Sequence, residues 1–350
     1  MQEKNTPDNK KIIIIGAGAV GMAVATSLKR HSDYKVTVFS ADSHTAYSQC
    51  GMPFVIGRQI ENYQDLILRD DRFFKDMDID LRLKTKVDSI DLENKTINSK
   101  GEKYQFDKLV IATGSTPKVP ENIPGISLEN VFTLRTLTDA MEIGKALENA
   151  SNVVIIGGGS IGAELAAATS GRNINTTLLN RSSSILSHNV DPDMADPVQE
   201  HLESLGVNVI TGYIPESING KEKVESVTIS GTEFPADLVI ISTGVKPENI
   251  LAEEAGIDIG QTGGIIVNEY LHPSVNGKFN QNVFCGGECV EVYDYVTGKP
   301  MLSQVASTAR RMAGVISANL VSEDQKFGPI LNPWVAVIGK IQAGSTGITS

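Results

Sequence analysis

One cysteine stands in a context that suggests redox chemistry. Cys50 lies in the stretch HTAYSQCGMPF, directly after an apparent strand and just before an apparent helix. A helix that begins beside a thiol favours the thiolate, which is the reactive form of cysteine. A thiolate can attack a disulfide or be oxidised to a sulfenic acid. The stretch by itself also fits an inert buried cysteine, so both interpretations stay open at this point.

Two glycine-rich segments have the spacing of phosphate-binding turns. KIIIIGAGAVGMAVATSLKR places Gly16, Gly18 and Gly21 between a buried strand and a helix, and NVVIIGGGSIGAELAAATS repeats the pattern further along the chain. In such a turn the first glycine makes the bend, the second lets a pyrophosphate approach the backbone, and the third lets helix and strand pack closely. The helix start offers N–H groups and the positive end of its dipole. Because the pattern occurs twice, it predicts two dinucleotide sites.

A second repeated motif accompanies the glycine turns. DKLVIATGSTP and ADLVIISTGVKP each predict a buried strand that ends in a turn, at Thr113-Gly114 and at Thr243-Gly244. An ordinary strand exit explains one copy well and two copies poorly. Short alternating segments between 81 and 106 predict an antiparallel excursion. The layout is therefore an α/β protein with two dinucleotide-binding domains.

The stretch DPDMADPVQEHLESLGVNV predicts a helix of the scaffold. Asp191 is the expected N-cap, and the next residue is a proline, which suits the first helical position. The apolar residues that recur at helical spacing are Met194, Val198, Leu202 and Leu205.

Composition limits the class of protein. The chain has 350 residues, of which 41% are hydrophobic and 21% charged, which is typical of a globular protein. A net charge of −11 argues against a nucleic-acid or membrane partner. Three cysteines without framework spacing fit a reducing compartment, so we expect a cytoplasmic protein.

Together these motifs resemble the FAD-dependent pyridine nucleotide-disulfide oxidoreductases, in their single-cysteine branch of coenzyme A disulfide reductases, NADH oxidases and NAD(P)H sulfur reductases. YSQCGMPF, QNVFCGGECVEVYDYVTGKP and LSQVASTARRMAGVISANL add to the resemblance. It implies two Rossmann-like domains of the glutathione-reductase type, with the NAD(P) domain inserted in the FAD domain. The implied bounds are 1–116 and 253–328 for the FAD domain, 117–252 for the NAD(P) domain, and 329–350 for the start of a truncated dimerisation domain.

The resemblance gives Cys50 a catalytic role. Two-cysteine relatives carry a Cys-x4-Cys pair, whereas Thr45 and Val55 stand at that spacing here. The implied enzyme passes electrons from NADPH or NADH through FAD to a disulfide, persulfide or polysulfide sulfur at Cys50, with coenzyme A disulfide as the leading substrate. Coenzyme A is a further candidate ligand.

Two other functions stay open. One is an NADH oxidase that reduces oxygen. It is less favoured because NADH peroxidases and many water-forming oxidases of this branch carry a histidine in the first glycine turn, and this chain has none there. The other is a truncated FAD- and NAD(P)-binding protein with little turnover. Lys29, Arg30 and Lys75 are candidates for coenzyme A phosphates, and a solvated surface is the alternative explanation of these cations.

The resemblance also assigns cofactor-binding residues. They are Gly16, Gly18, Ala19, Gly21, Ser40, Val87, Ala112, Thr113, Gly114, Gly157, Gly159, Ser160, Ile161, Gly162, Glu164, Asn180, Arg181, Thr243, Gly244, Gly287 and Glu288.

Several assigned positions depart from the family pattern. Ser40, with Asp42 nearby, replaces the acid that binds the adenosine ribose of FAD, and Glu288 replaces a flavin-contacting aspartate. Neutral Asn180 followed by Arg181 replaces the acid of an NADH-selective enzyme, so NADPH should be accepted.

The remaining cysteines and the chain end complete the expectations. Cys285 and Cys289 are interpreted as small buried residues, with a metal or dithiol role as the alternative. The five histidines form no metal spacing, so no metal is predicted. The final stretch, NPWVAVIGKIQAGSTGITS, looks like the opening strands of a dimerisation domain. A homodimer is therefore expected only if the rest of that domain is present.

Overall fold

The computed structural model describes residues 10–321 and 324–347. In that part of the chain the helices are α1 (Ala19–His31), α2 (Met52–Ile56), α3 (Asp71–Asp76), α4 (Leu137–Ala146), α5 (Ser160–Ser170), α6 (Pro192–Ser204), α7 (Ile250–Glu254) and α8 (Ala306–Leu320). Short 3₁₀ turns span Gln49–Gly51 and Tyr63–Leu66. Among these helices, none is both long and apolar enough to cross a membrane.

The strands of the first 120 residues are β1 (Lys11–Ile15), β2 (Lys35–Phe39), β3 (Ile79–Arg82), β4 (Ser89–Asp91), β5 (Thr96–Ser99), β6 (Glu102–Gln105), β7 (Lys108–Ile111) and β8 (Ser115–Pro117). The middle of the chain forms β9 (Val131–Thr133), β10 (Asn152–Ile156), β11 (Asn175–Asn180), β12 (Asn208–Thr211), β13 (Ser217–Gly220), β14 (Val224–Ile229), β15 (Thr232–Pro235), β16 (Leu238–Ile241) and β17 (Val245–Pro247). The last part forms β18 (Ser274–Val275), β19 (Lys278–Phe279), β20 (Val283–Cys285), β21 (Glu291–Tyr293), β22 (Pro300–Leu302), β23 (Trp334–Ile338) and β24 (Ile341–Ser345).

The chain divides into two compact units. Within the described residues, the first unit comprises 10–47, 67–115 and 247–332, and the second comprises 48–66, 116–246 and 333–347. The segment 48–66, which contains Cys50, thus belongs to the second unit, although the FAD domain expected from the sequence runs without a break from 1 to 116. The assignment of FAD to the first unit and NAD(P) to the second stays a prediction.

The first unit is built on a parallel sheet with the strand order β20-β7-β1-β2-β3. The run Ile12–Ile15 of β1 is buried, as expected for a central parallel strand covered on both faces. Helices α1 and α8 pack against each other. The excursion predicted between 81 and 106 is present as the antiparallel sheet β4-β5-β6, whereas Leu81 itself belongs to β3, a parallel strand.

The second unit repeats this architecture. Its parallel sheet has the order β12-β11-β10-β16-β9, and the antiparallel sheet β13-β14-β15 follows the same plan as β4-β5-β6. Strands β23 and β24 form an antiparallel hairpin that packs on α5 and α6. In both units the sheet order reverses beside the strand that precedes the glycine turn. Ligands of open α/β sheets bind at such a switch point, outside the carboxyl ends of the strands.

Helix α6 begins at Pro192 with Asp191 as N-cap, as predicted. Its buried face is formed by Ala195, Val198 and Leu202. Of the other two residues at the apolar spacing, Met194 is 61% exposed and Leu205 is 37% exposed. Only the central residues of the apolar stripe, Val198 and Leu202, therefore face the core.

Candidate active site

The first glycine turn joins β1 to α1, and each of its glycines has a different structural reason. Gly16 has a φ of +106°, and a Cβ there would overlap the carbonyl oxygen of Ala112 at the end of β7. A Cβ on Gly21 would overlap the carbonyl oxygen of Gly16, so the helix packs closely on the turn. Around Gly18, by contrast, nothing lies within 4 Å of an added Cβ. The turn therefore leaves open space at the helix start, where Ala19 is the first helical residue.

The second glycine turn joins β10 to α5 and has the same construction. Gly157 has a φ of +119°, and an added Cβ would overlap the carbonyl oxygen of Ser242. A Cβ on Gly162 would overlap the carbonyl oxygen of Gly157, whereas one on Gly159 would meet nothing within 4 Å. Two separate segments of the chain thus form one geometry, which is the cradle that a pyrophosphate requires. Ile161, also assigned to this site, is 42% exposed.

The two Thr-Gly turns form matching pairs of hydrogen bonds. In the first unit, Thr113 Oγ1 donates to the carbonyl of Glu248 at 2.5 Å, and the N–H of Glu248 donates to the carbonyl of Gly114 at 2.9 Å. In the second unit, Thr243 Oγ1 donates to the carbonyl of Lys118 at 2.6 Å, and the N–H of Lys118 donates to the Gly244 carbonyl at 2.9 Å. Each threonine therefore holds a second segment of the chain, at Glu248 or at Lys118, beside the switch point of its own sheet.

The region after β2, where Ser40 replaces the acid of the family pattern, is held by local hydrogen bonds. Ser40 is buried, and its Oγ accepts a hydrogen bond from the backbone N–H of Asp42 at 3.2 Å. The carboxylate of Asp42 accepts a hydrogen bond from the Tyr47 hydroxyl at 3.0 Å. Val87, the other residue assigned here from the sequence, is buried. The assignments of Ser40 and Val87 to the cofactor stay predictions.

The final FAD motif brings Glu288 to the Thr-Gly turn of β7. The Ser115 hydroxyl donates a short hydrogen bond to Glu288 Oε2. Gly287 has a φ of +97°, and its N–H points to Met312 Sδ at 3.1 Å. Sequence reasoning missed Ser115, although its position directly after Thr113-Gly114 was the available signal. The contact shows how the longer glutamate side chain is held.

Asn180, at the end of β11, holds the loop that follows it. Its Oδ1 accepts a hydrogen bond from the N–H of Gly158 at 3.1 Å, and its Nδ2 donates to the carbonyls of Ser182 and Ser184 at 3.1 and 2.7 Å. The sequence predicted a neutral neighbour of the ribose and missed this link between the glycine turn and the loop. Arg181, the next residue, is exposed.

Glu164 lies one helical turn after Ser160 on α5. Burial raises the pKa of its carboxyl group to about 7, and the opposing effect is a hydrogen bond from the Val337 N–H at 3.3 Å. Trp334 Nε1, on the same strand as Val337, donates to Ser160 Oγ at 2.7 Å. The sequence placed Glu164 near the nicotinamide, which stays a prediction, and gave no sign of these contacts with β23.

Cys50 lies in the 3₁₀ turn that leads directly into α2, which confirms the predicted helix start. The strand expected directly before it was wrong, since β2 already ends at Phe39. Its side chain is exposed, whereas Cys285 and Cys289 are buried. Gly51 is packed so tightly that an added Cβ would overlap the Leu66 side chain. Helix α2 has only five residues, so its dipole gives the thiolate limited support.

The segment 48–66 is anchored by polar contacts to the residues that directly follow α4 and α5. Arg172, whose side chain is 7% exposed, donates to the carbonyl of Ile56 at 3.0 Å and to Glu148 at 3.2 Å. Arg58 donates two hydrogen bonds to Glu148, at 2.5 and 2.6 Å. Packing is close as well, since an added Cβ on Gly57 would lie 3.0 Å from the Ala168 Cβ. These contacts explain why the Cys50 segment belongs to the second unit.

The other candidate residues have structural surroundings. Burial raises the pKa of both the Cys285 and the Cys289 thiols, which agrees with small core residues. Lys29 donates to Asp78 at 2.9 Å, and its side chain is only 11% exposed, so it is held in an ion pair. Arg30 and Lys75, the other two candidate cations, are exposed. Among the described residues, no cluster of three His, Cys, Asp or Glu side chains could hold a metal.

The family model described as pyridine nucleotide-disulphide oxidoreductase matches residues 10–309. The chain belongs to this family. The predicted family, α/β fold class and enzyme class, an NAD(P)H-dependent flavoprotein oxidoreductase, are thereby confirmed.

Individual members of the pyridine nucleotide-disulphide oxidoreductases are similar over nearly the whole chain. An NADH oxidase of Methanocaldococcus jannaschii is 35% identical and is matched over 97% of this chain and 76% of its own length. An NAD(P)H sulfur oxidoreductase (CoA-dependent) of Pyrococcus furiosus is 35% identical, over 98% of this chain and 77% of its own. A solved NAD-dependent persulfide reductase from A. fulgidus has 32% identity and a TM-score of 0.92, over 97% of this chain. The chain spans 64% of the length of that reductase.

The two glycine turns fit the dinucleotides that this family uses. Both have open space at the second glycine and a helix start directly after it. Backbone N–H groups at such a helix start are donors for the acceptor-only oxygens of a pyrophosphate. The residues present are therefore compatible with FAD and NAD(P)H.

Proposed function

We propose that this chain reduces a disulfide, persulfide or polysulfide sulfur at Cys50 with electrons from NAD(P)H, and that a coenzyme A disulfide is its leading substrate. The observation that carries the proposal is the exposed thiol of Cys50, in contrast to the two buried cysteines. The sulfur- and persulfide-reducing names of similar proteins support the choice of acceptor. The overall reaction converts NAD(P)H, a proton and a disulfide into NAD(P)⁺ and two thiols.

The cofactor sites are proposed from the two glycine turns. In the first unit, the turn Gly16–Gly21, the turn Thr113-Gly114 and Glu288 would hold FAD, with Ser115 fixing the Glu288 carboxylate. In the second unit, the turn Gly157–Gly162 would hold NAD(P)H. Bound FAD supplies two-electron transfer between the nicotinamide and a sulfur.

Cys50 carries the sulfur chemistry of the proposal. Its thiolate attacks one sulfur of the substrate disulfide, forms a mixed disulfide with that half and releases the other half as a thiolate. Two electrons then cleave the mixed disulfide, which restores the Cys50 thiolate and releases the second thiol. Arg172 binds the carbonyl of Ile56 and so holds the end of α2, the helix that follows Cys50.

Coenzyme A binding is a finer part of the proposal. Arg30 and Lys75 remain candidates for its phosphates because both are exposed. Lys29 is the weaker candidate, since its ammonium group already pairs with Asp78. We further propose a cytoplasmic protein, and a homodimer wherever a complete dimerisation domain follows.

A Cys50→Ser variant tests the sulfur chemistry. An alcohol is not ionised near neutral pH, so the reduction of coenzyme A disulfide and of polysulfide should fall by at least about a hundredfold. FAD content and flavin bleaching by NADPH should persist, and Gln49→Ala, which changes the exposed neighbour, should keep full activity. Full disulfide reductase activity in Cys50→Ser would refute the proposal.

Oxygen is the second candidate acceptor, because one of the similar proteins is named NADH oxidase. Oxygen uptake and coenzyme A disulfide reduction should be measured with the same NADPH and enzyme concentrations. A higher kcat/KM with coenzyme A disulfide supports the sulfur acceptor. A faster oxygen reaction that survives Cys50→Ser would favour the oxidase.

A further inference from the structure

The hairpin of β23 and β24 contacts the helix that follows the second glycine turn. Trp334 Nε1 donates to Ser160 Oγ at 2.7 Å, and the Val337 N–H donates to Glu164 Oε1 at 3.3 Å. Ser160 and Glu164 are four residues apart, so they lie on one face of α5. Ala336, which shares a strand face with Trp334, is buried. The strand is therefore fixed to α5 by packing and by two hydrogen bonds.

Ser160 occupies a special position on this helix. It is the first residue of α5 and directly follows Gly159, where an added Cβ would meet nothing within 4 Å. Its hydroxyl group is therefore carried by the first residue of the helix, directly after the glycine that leaves this space open.

The direction of the hydrogen bond from Trp334 decides what Ser160 can do. An indole N–H only donates, whereas a hydroxyl group has two lone pairs and one proton. The bond from Trp334 occupies a lone pair of Ser160 Oγ, so the hydroxyl proton stays available for another acceptor. Phosphate oxygens accept hydrogen bonds. With its lone pair engaged by Trp334, the Ser160 hydroxyl group can donate its proton to a phosphate oxygen of a dinucleotide bound at this turn.

We propose that Trp334 is a positioning residue for the nicotinamide dinucleotide, because it orients the Ser160 hydroxyl group to donate to a phosphate oxygen. This inference rests on the proposed NAD(P)H site of the second unit. It gives the hairpin a role in nucleotide affinity besides packing on α5.

Binding of NADP⁺ to the full, FAD-loaded chain tests the inference without turnover. Calorimetry should compare the wild type with Trp334→Phe, Ser160→Ala and the double variant. Phenylalanine keeps most of the ring and lacks the N–H, so Trp334→Phe should raise the Kd about three- to tenfold, which is typical of one lost hydrogen bond. The double variant should lose no more affinity than Ser160→Ala alone, since both changes remove one interaction. Val335→Ala, at a neighbouring side chain that is 73% exposed, is the matched control and should bind normally.

The outcomes separate this inference from the proposed function. A wild type that binds neither NADP⁺ nor NAD⁺ overturns both proposals. A wild type that binds, together with an unchanged Kd for Trp334→Phe or fully additive losses in the double variant, overturns only the role of Trp334.

A measurement on the unmodified protein covers the case in which Trp334→Phe does not fold. Trp334 is the only tryptophan of the chain, so its fluorescence reports on this position alone. Saturating NADP⁺ should change its emission, because the partner hydroxyl group acquires a new acceptor. An emission that stays constant at saturation would contradict the inference.

Discussion

The carboxyl group of Glu164 accepts a hydrogen bond from the Val337 N–H at 3.3 Å, and burial raises its pKa to about 7. The ordinary value is 4.5, so between pH 4.5 and 7 the folded state binds more protons at this group than the unfolded state. The free energy of unfolding therefore falls as the pH rises through this window. At pH 8 the charged group should cost on the order of 3 kcal/mol relative to its neutral form.

Glu164→Gln should remove this dependence. Urea unfolding at pH 5, 6, 7 and 8 should show a smaller loss of stability in the variant than in the wild type. The control is Glu142→Gln, which changes an exposed glutamate of α4 and should leave the wild-type profile unchanged. Parallel profiles for the wild type and Glu164→Gln would show that Glu164 ionises without a penalty.

The first two glycines of each turn should respond differently to alanine. Gly18 has a φ of −82°, which alanine adopts easily, so Gly18→Ala should keep the fold and fill the open space with a methyl group. We expect its FAD affinity to fall at least about tenfold, because the pyrophosphate must approach the backbone there. Gly16→Ala should instead destabilise the fold itself, since its φ is +106° and its Cβ would overlap a carbonyl oxygen.

Gly159→Ala is the matched variant in the second unit, with a φ of −76°. It should raise the Kd for NADP⁺ and leave FAD binding unchanged, whereas Gly18→Ala should do the reverse. FAD titration of the apoprotein and NADP⁺ titration of the FAD-loaded protein measure the two affinities, and thermal melts of each variant check the fold. Equal loss of both ligands in one variant would contradict the assignment of one dinucleotide to each turn.

The glycine turns were predictable because each glycine answers a local requirement of the backbone. A positive φ at Gly157 and a close approach at Gly162 leave a pattern in the sequence itself. The helix start beside Cys50 was also predictable from the residues directly around it. Local patterns therefore predicted the strands, the turns and the helix starts that the candidate site needs.

Contacts between distant segments were not predictable in this way. Trp334 and Ser160 are 174 residues apart, and Arg172 is 116 residues from Ile56, so no local spacing reveals either hydrogen bond. The exposed Met194 shows a related limit, because it shares the apolar spacing of the buried Val198 and Leu202 and spacing alone does not determine how far along a helix the core extends.

Arg181 should set the preference between the two nicotinamide cofactors. It is exposed next to Asn180, at which the proposed NAD(P)H site lacks the acid that would repel a 2′-phosphate. Arg181→Ala should raise the KM for NADPH about tenfold, which corresponds to one charge-assisted contact, and leave the KM for NADH nearly unchanged. Steady-state kinetics with both cofactors measures this split. Arg181→Lys should recover part of the affinity, and Lys221→Ala, at an exposed cation of the same unit, should have no effect. Equal changes with NADPH and NADH would exclude contact with the 2′-phosphate.

Arg172 should stabilise the Cys50 segment more than Arg58 does, although both bind Glu148. The Arg172 side chain is 7% exposed, and it also donates to the carbonyl of Ile56, which is the last residue of α2. The Arg58 side chain, by contrast, is 61% exposed. Arg172→Met leaves a carbonyl of α2 without this donor and should lower the free energy of unfolding by about 2 kcal/mol. Arg58→Met, the matched control, should change it little, and its effect should vanish at high salt.

The thiol provides a local readout of the same anchor. A fluorogenic maleimide that labels Cys50 should react at a changed rate in Arg172→Met, because the backbone after α2 loses its fixed position, and at the wild-type rate in Arg58→Met. Urea unfolding and labelling should be measured on the same preparations at 0.1 M and 1 M salt. If both variants behave alike in stability and in labelling, the part-buried hydrogen bond to Ile56 contributes no more than the surface ion pair.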